Sequence, residues 1–412
     1  MRVYSVLPQI RYSKIREIAE KVAMKNRLLP PEERVINLTM GQNFIGDPTP
    51  VIKKIGLLFG EKVPPFLYAP SLGTFSARES VANNFYYLWY GAKLETDWVM
   101  ITDGAMGAIR NAMGAVVEDG DIIVVDPITF IYSLTTLRIY GRKFKLEVLD
   151  ANEDMYFIPS PDYVIEFLDM LSQKNSDKKI IYYTQFGFNP SGAFRSKSDL
   201  KKIAELVDDS KNIILINDIV YHLIRFDGLE LPLASLLSDE GRNIFDCDAL
   251  SKPFSLMGLR VGVLITRDKE LFDAAAKIQQ YSIVSPNTFA CEIWNVVSDP
   301  ENFRELKETV ERLNKKLKEN FEMTRKNLGK LGIDIVSPGQ GTLYAFIKVP
   351  NGDSGKFVDD LIEHARVALV PGTAFEVIPK YGRYYARMTI SVTKKQLQEA
   401  LERIEKFLRQ QS

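Results

Sequence analysis

The sequence predicts an α/β protein: a large domain built on a mostly parallel, seven-stranded sheet with helices on both faces, and a smaller α+β unit beside it. Two observations carry this prediction. First, seven short apolar runs recur between helical periods: WVMIT, DIIVVD, FKLEVL, KIIYYT, NIILIN, IFDCDA and LRVGVLI. They are apolar almost throughout rather than alternating, as strands are when both of their faces are covered. Strands separated by helical periods form parallel neighbours, because a parallel pair needs a crossover connection. Second, this alternation spans roughly residues 48–295 and then gives way to one long charged helical segment, ENFRELKETVERLNKKLKENFEMTRKNLGKL. Its charges read as a solvated helix face. The strands and helices that follow form the smaller unit.

The chain before residue 48 holds a helical pattern (SKIREIAEKVAMK), a turn at Pro30 and Pro31, and a strand-like VINLTM that runs into Gly41. This is too little for a domain of its own. Composition narrows the function classes. With 412 residues, 46% of them hydrophobic and 26% charged, the chain can bury a substantial core. Lys plus Arg and Asp plus Glu stand at 53 each, so no net field recruits nucleic acid or an anionic membrane. Cys247 and Cys291 have neither metal-ligand spacing nor a disulfide-rich context. No metal is expected. The N-terminus MRVYSVLPQIRYSK lacks a long apolar core and the apolar runs are only strand-length, so a cytoplasmic protein without membrane spans is expected.

In open α/β sheets, ligands bind beyond the carboxyl ends of the strands, so the chemistry is sought there. Lys252, in DALSKPFSLMGLRVG, follows the run IFDCDA in a small and apolar setting. Desolvation lowers an amine's pKa and makes it a nucleophile toward an aldehyde; the alternative is a solvated surface lysine. After WVMIT, Gly104 opens a helix whose free N–H groups can hold a phosphate, or it is simply a tight turn. After DIIVVD, Phe130 or Tyr132 can lie over a flat ring or belong to the core. Asn189, Pro190, Ser191 and Gly192 form a turn whose amide can also donate to a ligand oxygen. Asp218 directly follows NIILIN, with Tyr221 three residues on. A carboxylate at the end of a buried strand requires a cation, unless it caps a helix. His222 and His364, the two histidines, have no evident partner and read as structural.

Taken in order, VINLTMGQNFIGDPTP, YAPSLGTFSARESVA, DGAMGA, NPSG, DIVY, SKPFSLMGLRVG, VPGTAF and YARMTIS resemble the class I and II aminotransferases, which are fold-type I pyridoxal-phosphate enzymes. The resemblance covers nearly the whole chain. It implies a large cofactor-binding domain at 48–295, and a small domain of 1–47 and 296–412 that closes over the active site. It implies pyridoxal 5′-phosphate as cofactor, bound as a Schiff base (aldimine) to Lys252, which then carries the proton. Asp218 resembles the carboxylate facing the pyridine nitrogen. Asn189 and Tyr221 resemble the pair on the phenolic oxygen. Arg260 and the backbone of Gly104, Ala105 and Met106 are similar to the phosphate site, and Phe130 to the stacking aromatic. Arg387 resembles the arginine for the substrate α-carboxylate, with Gly41 lining the same pocket. Tyr68 resembles a tyrosine that reaches the phosphate of the neighbouring subunit in a homodimer; otherwise it is a core residue.

Three positions depart from the family's pattern. Ala249 stands where a phosphate-binding serine is frequent, with Ser251 next to the lysine instead. Thr129 holds the usual position of the stacking aromatic, so Phe130 takes that role only with a shifted turn. Met106 and the loop QQYSIVSPN offer no cation for a side-chain carboxylate. A neutral, aromatic or broad range of amino donors is therefore expected over strict aspartate preference, with a 2-oxo acid such as 2-oxoglutarate as partner in a ping-pong reaction. Arg11 is the residue able to reverse that preference. The alternatives are a lyase running β-elimination on the same fold, and a non-catalytic cofactor-binding regulator.

Overall fold

The computed structural model describes residues 13–61, 67–130, 132–139, 141–376 and 378–411. The predicted VINLTM run contributes only a two-residue strand, β1 (Ile36–Asn37). The seven runs predicted for the main sheet all form it: β2 (Val99–Asp103), β3 (Ile122–Val125), β4 (Lys145–Val148), β5 (Ile180–Gln185), β6 (Ile213–Asp218), β7 (Ile244–Ala249) and β8 (Val261–Ile265). Their order is β2-β8-β7-β6-β5-β3-β4. Strands β4, β3, β5, β6 and β7 are parallel, and β8 runs antiparallel to both β7 and β2.

Burial explains why these runs are apolar throughout. Ile122 and Val124 of β3 enter one hydrophobic core while Ile123 and Val125 enter the other, so each face of the strand is covered. Strand β4, at the sheet edge, is the exception and keeps partial exposure along its length.

The reversal of β8 places the site. Its first residues lie beside the carboxyl ends of its neighbours, with Gly262 opposite Ala249 and Val261 opposite Asp103. Asp218, ending β6, pairs with Cys247 on β7. The turn carrying Lys252, the arginine preceding β8, and the glycine after β2 therefore meet at one edge.

A second, antiparallel sheet has the order β11-β12-β9, from β9 (Tyr344–Lys348), β11 (Val370–Pro371) and β12 (Tyr385–Thr389). Strand β10 (Val367–Ala368) pairs in parallel with β1, joining the N-terminal segment to this part of the chain. Helix Lys14–Leu28 starts at Ser13, whose hydroxyl caps the Arg16 N–H. The long charged segment is helix Pro300–Gly329, with Asp299 as N-cap and proline in its first turn. It buries Leu306, Val310, Leu313, Leu317 and Phe321, a stripe of helical period. Its Asn320 donates to the carbonyls of Ile390 and Val392, just beyond β12. Among the described residues, no helix is long and apolar enough to cross a membrane.

One close approach at this edge is testable. A Cβ on Gly262 would stand 2.4–2.7 Å from the backbone of Gly104, so only glycine lets β8 pass that turn. Gly262→Ala is expected to lower stability by about 1–3 kcal/mol through overpacking and to weaken cofactor retention. Thermal unfolding of the apo and cofactor-loaded protein checks this; an unchanged melting temperature would remove the constraint.

Candidate active site

A cavity of about 540 Å³ opens between the strand-end edge of the main sheet and the smaller sheet. Lys252 is central to it. Its Nζ donates to the Gly41 carbonyl at 2.5 Å, and its own carbonyl accepts from Asn43 Nδ2 at 2.8 Å. Ser255 in turn donates to the Asn43 carbonyl at 3.0 Å, clamping the N-terminal segment onto the lysine turn. Lys252 retains some accessible surface on the cavity, yet packing around its ammonium is dense. Burial, and next the nearby Arg387, bring its pKa down to about 8, with Asp218 partly opposing. It is not a solvated surface lysine.

Asp218 lines the same cavity. It accepts from the Val220 N–H and the Tyr183 hydroxyl, both at 3.2 Å. A turn, not a helix, follows it, so it is no helix cap. Among the described residues it has no ion-pair partner, and burial pushes its pKa up to about 6.

Arg387, at the middle of β12, is buried. Its Nη1 donates to Asn189 Oδ1 at 2.8 Å, and Nη2 to the Thr39 carbonyl. Among the described residues, its Nε is buried without a partner. Because an arginine only donates, the Asn189 carbonyl must face it, which leaves the Asn189 NH₂ to donate elsewhere. The Arg387 guanidinium lies 4.3 Å from the centre of the Tyr344 ring. Tyr344 hydroxyl and Tyr221 hydroxyl are 2.7 Å apart. With Tyr344 donating, the Tyr221 proton remains for a group in the cavity. Burial, then Tyr344, push the Tyr221 pKa well up, so it stays a donor at neutral pH.

Near Arg260, Gly104 precedes helix Ala105–Val116 at φ 79°, a conformation glycine tolerates. A Cβ there would meet Arg260 Nη2 at 2.6 Å. Arg260 itself holds φ 55°, uncommon for a non-glycine residue, and donates to the carbonyls of Met257 and Asp103. Ala105, Met106 and Phe130 line the cavity. Thr129 is buried, its N–H held by the Phe375 carbonyl at 3.0 Å, so Phe130 is the residue presented to the ligand space.

Pyridoxal 5′-phosphate fits these donors. A buried carboxylate without a cation faces the cavity, an amine of lowered pKa stands near it, and an arginine and a helix N-terminus stand where a phosphate dianion can be neutralised.

Tyr68 is not brought into this cavity. It is 86% exposed, which excludes the core alternative. His222 has partners after all. Tyr90 hydroxyl lies 2.7 Å from its Nδ1, and Asp248 Oδ2 lies 2.9 Å from its Nε2, though without the alignment of a full hydrogen bond. Arg11 and the side chain of Tyr132 lie outside the described residues. Among the cavity residues that escaped the sequence are Tyr344, Gln185 and Arg16. Gln185, the last residue of β5, accepts from the Asn189 N–H at 2.9 Å, and its place at a strand end was the available signal. Tyr344 reads as one more aromatic in a strand, and Arg16 as one more charge on a helix.

The profile of the family described as aminotransferase class I and II matches residues 33–404. The chain is similar to an aspartate aminotransferase of Pyrococcus horikoshii, 28% identical over 97% of this chain and 95% of that one. An aromatic-amino-acid aminotransferase 2 of Thermococcus litoralis is 24% identical over 83% and 84% of the two chains. In structure, an aspartate aminotransferase of Thermus thermophilus with maleate superposes with a TM-score of 0.84 at 22% identity, covering 99% and 100%.

The solitary Asp218 gives a stability prediction. Its pKa is raised from 3.8 to about 6 in the folded protein, so the native state holds this proton more tightly than the unfolded chain. The contribution is complete below pH 4 and is lost as pH rises through about 6. Asp218→Asn should therefore stabilise the apo-protein at pH 7 by about 1–3 kcal/mol, and the gain should vanish at pH 4. Apo-protein melting temperatures at the two pH values check this; destabilisation at pH 7 would mean that the carboxylate is already compensated.

Proposed function

This chain belongs to the class I and II aminotransferases, enzymes that use pyridoxal 5′-phosphate, and we propose that it moves an amino group from neutral, aromatic or broadly chosen L-amino acids to a 2-oxo acid such as 2-oxoglutarate. The observation that carries this is Lys252, a lysine of lowered pKa in one cavity with an unpaired buried carboxylate and a buried arginine with an unpartnered Nε.

When bound, the cofactor supplies an aldehyde that takes up an amine and a ring that delocalises the electrons left when Cα loses its proton. The protein's residues divide the remaining work. Arg260 and the N–H groups at the start of helix Ala105–Val116 hold the phosphate. Asp218 would keep a proton on the ring nitrogen, Asn189 and Tyr221 would donate to the ring's phenolic oxygen, and Phe130 would stack on the ring. Arg387 grips the substrate α-carboxylate by a bidentate pair, with its unused Nε available, and Gly41 lines the pocket beside it. Lys252 Nζ would hold the cofactor's aldehyde carbon and, once free, would carry the proton from the substrate Cα. The donor leaves as a 2-oxo acid before the acceptor enters, a ping-pong order. The smaller sheet, which carries Arg387, is proposed to close with residues 1–47 and 296–412 over the larger part at 48–295.

Apolar side chains lining the same space, Met40, Met106, Ile109 and Met257, favour neutral donor side chains. A homodimer is supported by a further apolar surface. Leu67, Tyr68, Phe75 and Tyr281 are 62–88% exposed, and a hollow of about 410 Å³ is lined by Ile52, Ile55, Phe59, Leu259, Phe289 and Ile293. In this dimer the exposed Tyr68 would reach the neighbouring subunit's phosphate.

Single amino acids added without a 2-oxo acid should bleach the cofactor's visible band and release one equivalent of their own 2-oxo acid. Lys252→Ala should slow this by about 10⁴-fold, and Arg387→Lys should raise KM for all donors by about 100-fold, the equivalent of ~3 kcal/mol. Ammonia released through repeated turnover would replace transfer with elimination. Sedimentation should give twice the chain mass, and Tyr68→Phe should weaken cofactor retention without separating the subunits; a monomer that retains full activity would refute the shared site.

A further inference from the structure

We propose that Glu153 is a positioning residue for substrate binding: its carboxylate grips Tyr385 and Lys348, a cross-strand pair of the smaller sheet, and so fixes the strand on which Arg387 meets the substrate α-carboxylate. This rests on the aminotransferase function proposed above and deepens its account of the carboxylate site. Register is the first ground. Tyr385 on β12 pairs with Lys348 on β9, and Arg387 on β12 pairs with Phe346. Directly paired residues share a face, as do residues two apart on one strand, so these four side chains stand on one face of the sheet. Glu153 holds the first pair from outside the sheet. The Tyr385 hydroxyl donates to its Oε2, and Lys348 Nζ donates to Oε1 at 3.1 Å and to Oε2 at 3.2 Å. The tyrosine first, and the lysine next, keep the Glu153 carboxyl below its ordinary range, so it is ionised at neutral pH.

The platform that carries Glu153 is the second ground. Residues 149–159 follow β4 at the edge of the main sheet and are tied down at both ends. The Leu149 N–H donates to the Val125 carbonyl of β3 at 2.9 Å. The Pro159 carbonyl accepts from Arg195 Nη1 at 3.0 Å, and Arg195 is buried 3.6 Å from Asp126, the residue that follows β3. Between these ties, Tyr156 and Phe157 take φ of 52° and 62°, a conformation that bulky residues rarely adopt. The bend drives Phe157 into the smaller sheet. Its ring is buried, with its centre 5.1 Å from that of Tyr385 and 5.9 Å from that of Phe346. One short segment thus holds the same strand pair twice, by a carboxylate and by a ring.

Nearness to Arg387 is the third ground. Tyr385 lies two residues before it, about 7 Å along an extended strand, and β12 is hydrogen-bonded on both sides, to β11 and β9. A bidentate arginine–carboxylate pair has a fixed geometry, and a misplacement of about 1 Å is costly. The Glu153 and Lys348 side chains are 38% and 45% exposed, so the anchor makes a modest contribution. Asp150 makes a parallel attachment, accepting from Lys380 Nζ at 2.8 Å and from the Tyr381 hydroxyl at 2.7 Å, shortly before β12. Loss of Glu153 therefore shifts the strand without detaching it.

The test uses the holoenzyme with butyrate, an unreactive monocarboxylate titrated through the cofactor's visible band, and steady-state rates with one amino donor. Glu153→Ala should raise the butyrate Kd and the donor KM about 3- to 10-fold, while kcat and the melting temperature stay close to wild type. Glu153→Gln, which still accepts from Tyr385, should recover part of the loss. Tyr385→Phe should weaken butyrate in the same direction, and combining it with Glu153→Ala should add nothing further, because both remove one contact. Unchanged butyrate binding in Glu153→Ala, a fall in kcat or melting temperature at constant KM, or additive losses in the double variant would each overturn the assignment. Single-turnover release of 2-oxo acid by the wild-type enzyme separates the two levels. If release occurs and butyrate binding is insensitive to Glu153, only this assignment fails; if no amino acid is converted, the proposed function fails and the assignment falls with it.

Discussion

A buried amine beside a guanidinium cannot hold its proton as a free lysine does, and the cavity is organised around that constraint. Lys252 reaches a pKa of about 8 because packing excludes water and Arg387 lies close. Neither cause is local to its own turn. The Gly41 carbonyl and the Asn43 clamp come from the N-terminal segment, and Arg387 comes from the smaller sheet. The reactive state of one nitrogen is therefore a tertiary property, assembled where three distant stretches of chain meet.

The same meeting point couples the ends of the site. Arg387 holds Asn189 directly and lies over Tyr344, which touches Tyr221. A carboxylate arriving at Arg387 draws charge away from Lys252 and disturbs both donors proposed for the ring oxygen. That coupling needs Arg387 to be rigid. It is buried at the middle of a three-stranded sheet whose next residues are held by Asn320 of the long helix.

The main sheet was legible because strands covered on both faces are apolar at every position, a local property of each run. All seven runs became strands, and the residues at their ends, Asp218, Asn189, Lys252 and Arg260, converged. The ordered motifs supplied the remaining identities, since nothing in the spacing of Arg387 or Gly41 shows that they face Lys252. Tyr344 and Arg16 stayed hidden for a physical reason. Tyr344 stands 92 positions after Lys252 and Arg16 236 before it, and neither lies at an end of the main sheet. His222 looked solitary because its partners, Tyr90 and Asp248, are joined to it only through the fold.

A transaminating cavity must admit two substrates in turn that share an α-carboxylate and differ in the side chain. The constant group can be met by a fixed, desolvated cation, and Arg387 is buried, its guanidinium held by Asn189 Oδ1 and the Thr39 carbonyl. The variable group cannot be met in this way. A buried cation for a second carboxylate would be unpaired with every neutral donor, at the cost of several kcal/mol. A cation at the mouth, hydrated when unused, avoids that penalty and still neutralises a dicarboxylate. In this cavity Arg387 is buried and Arg16 is exposed.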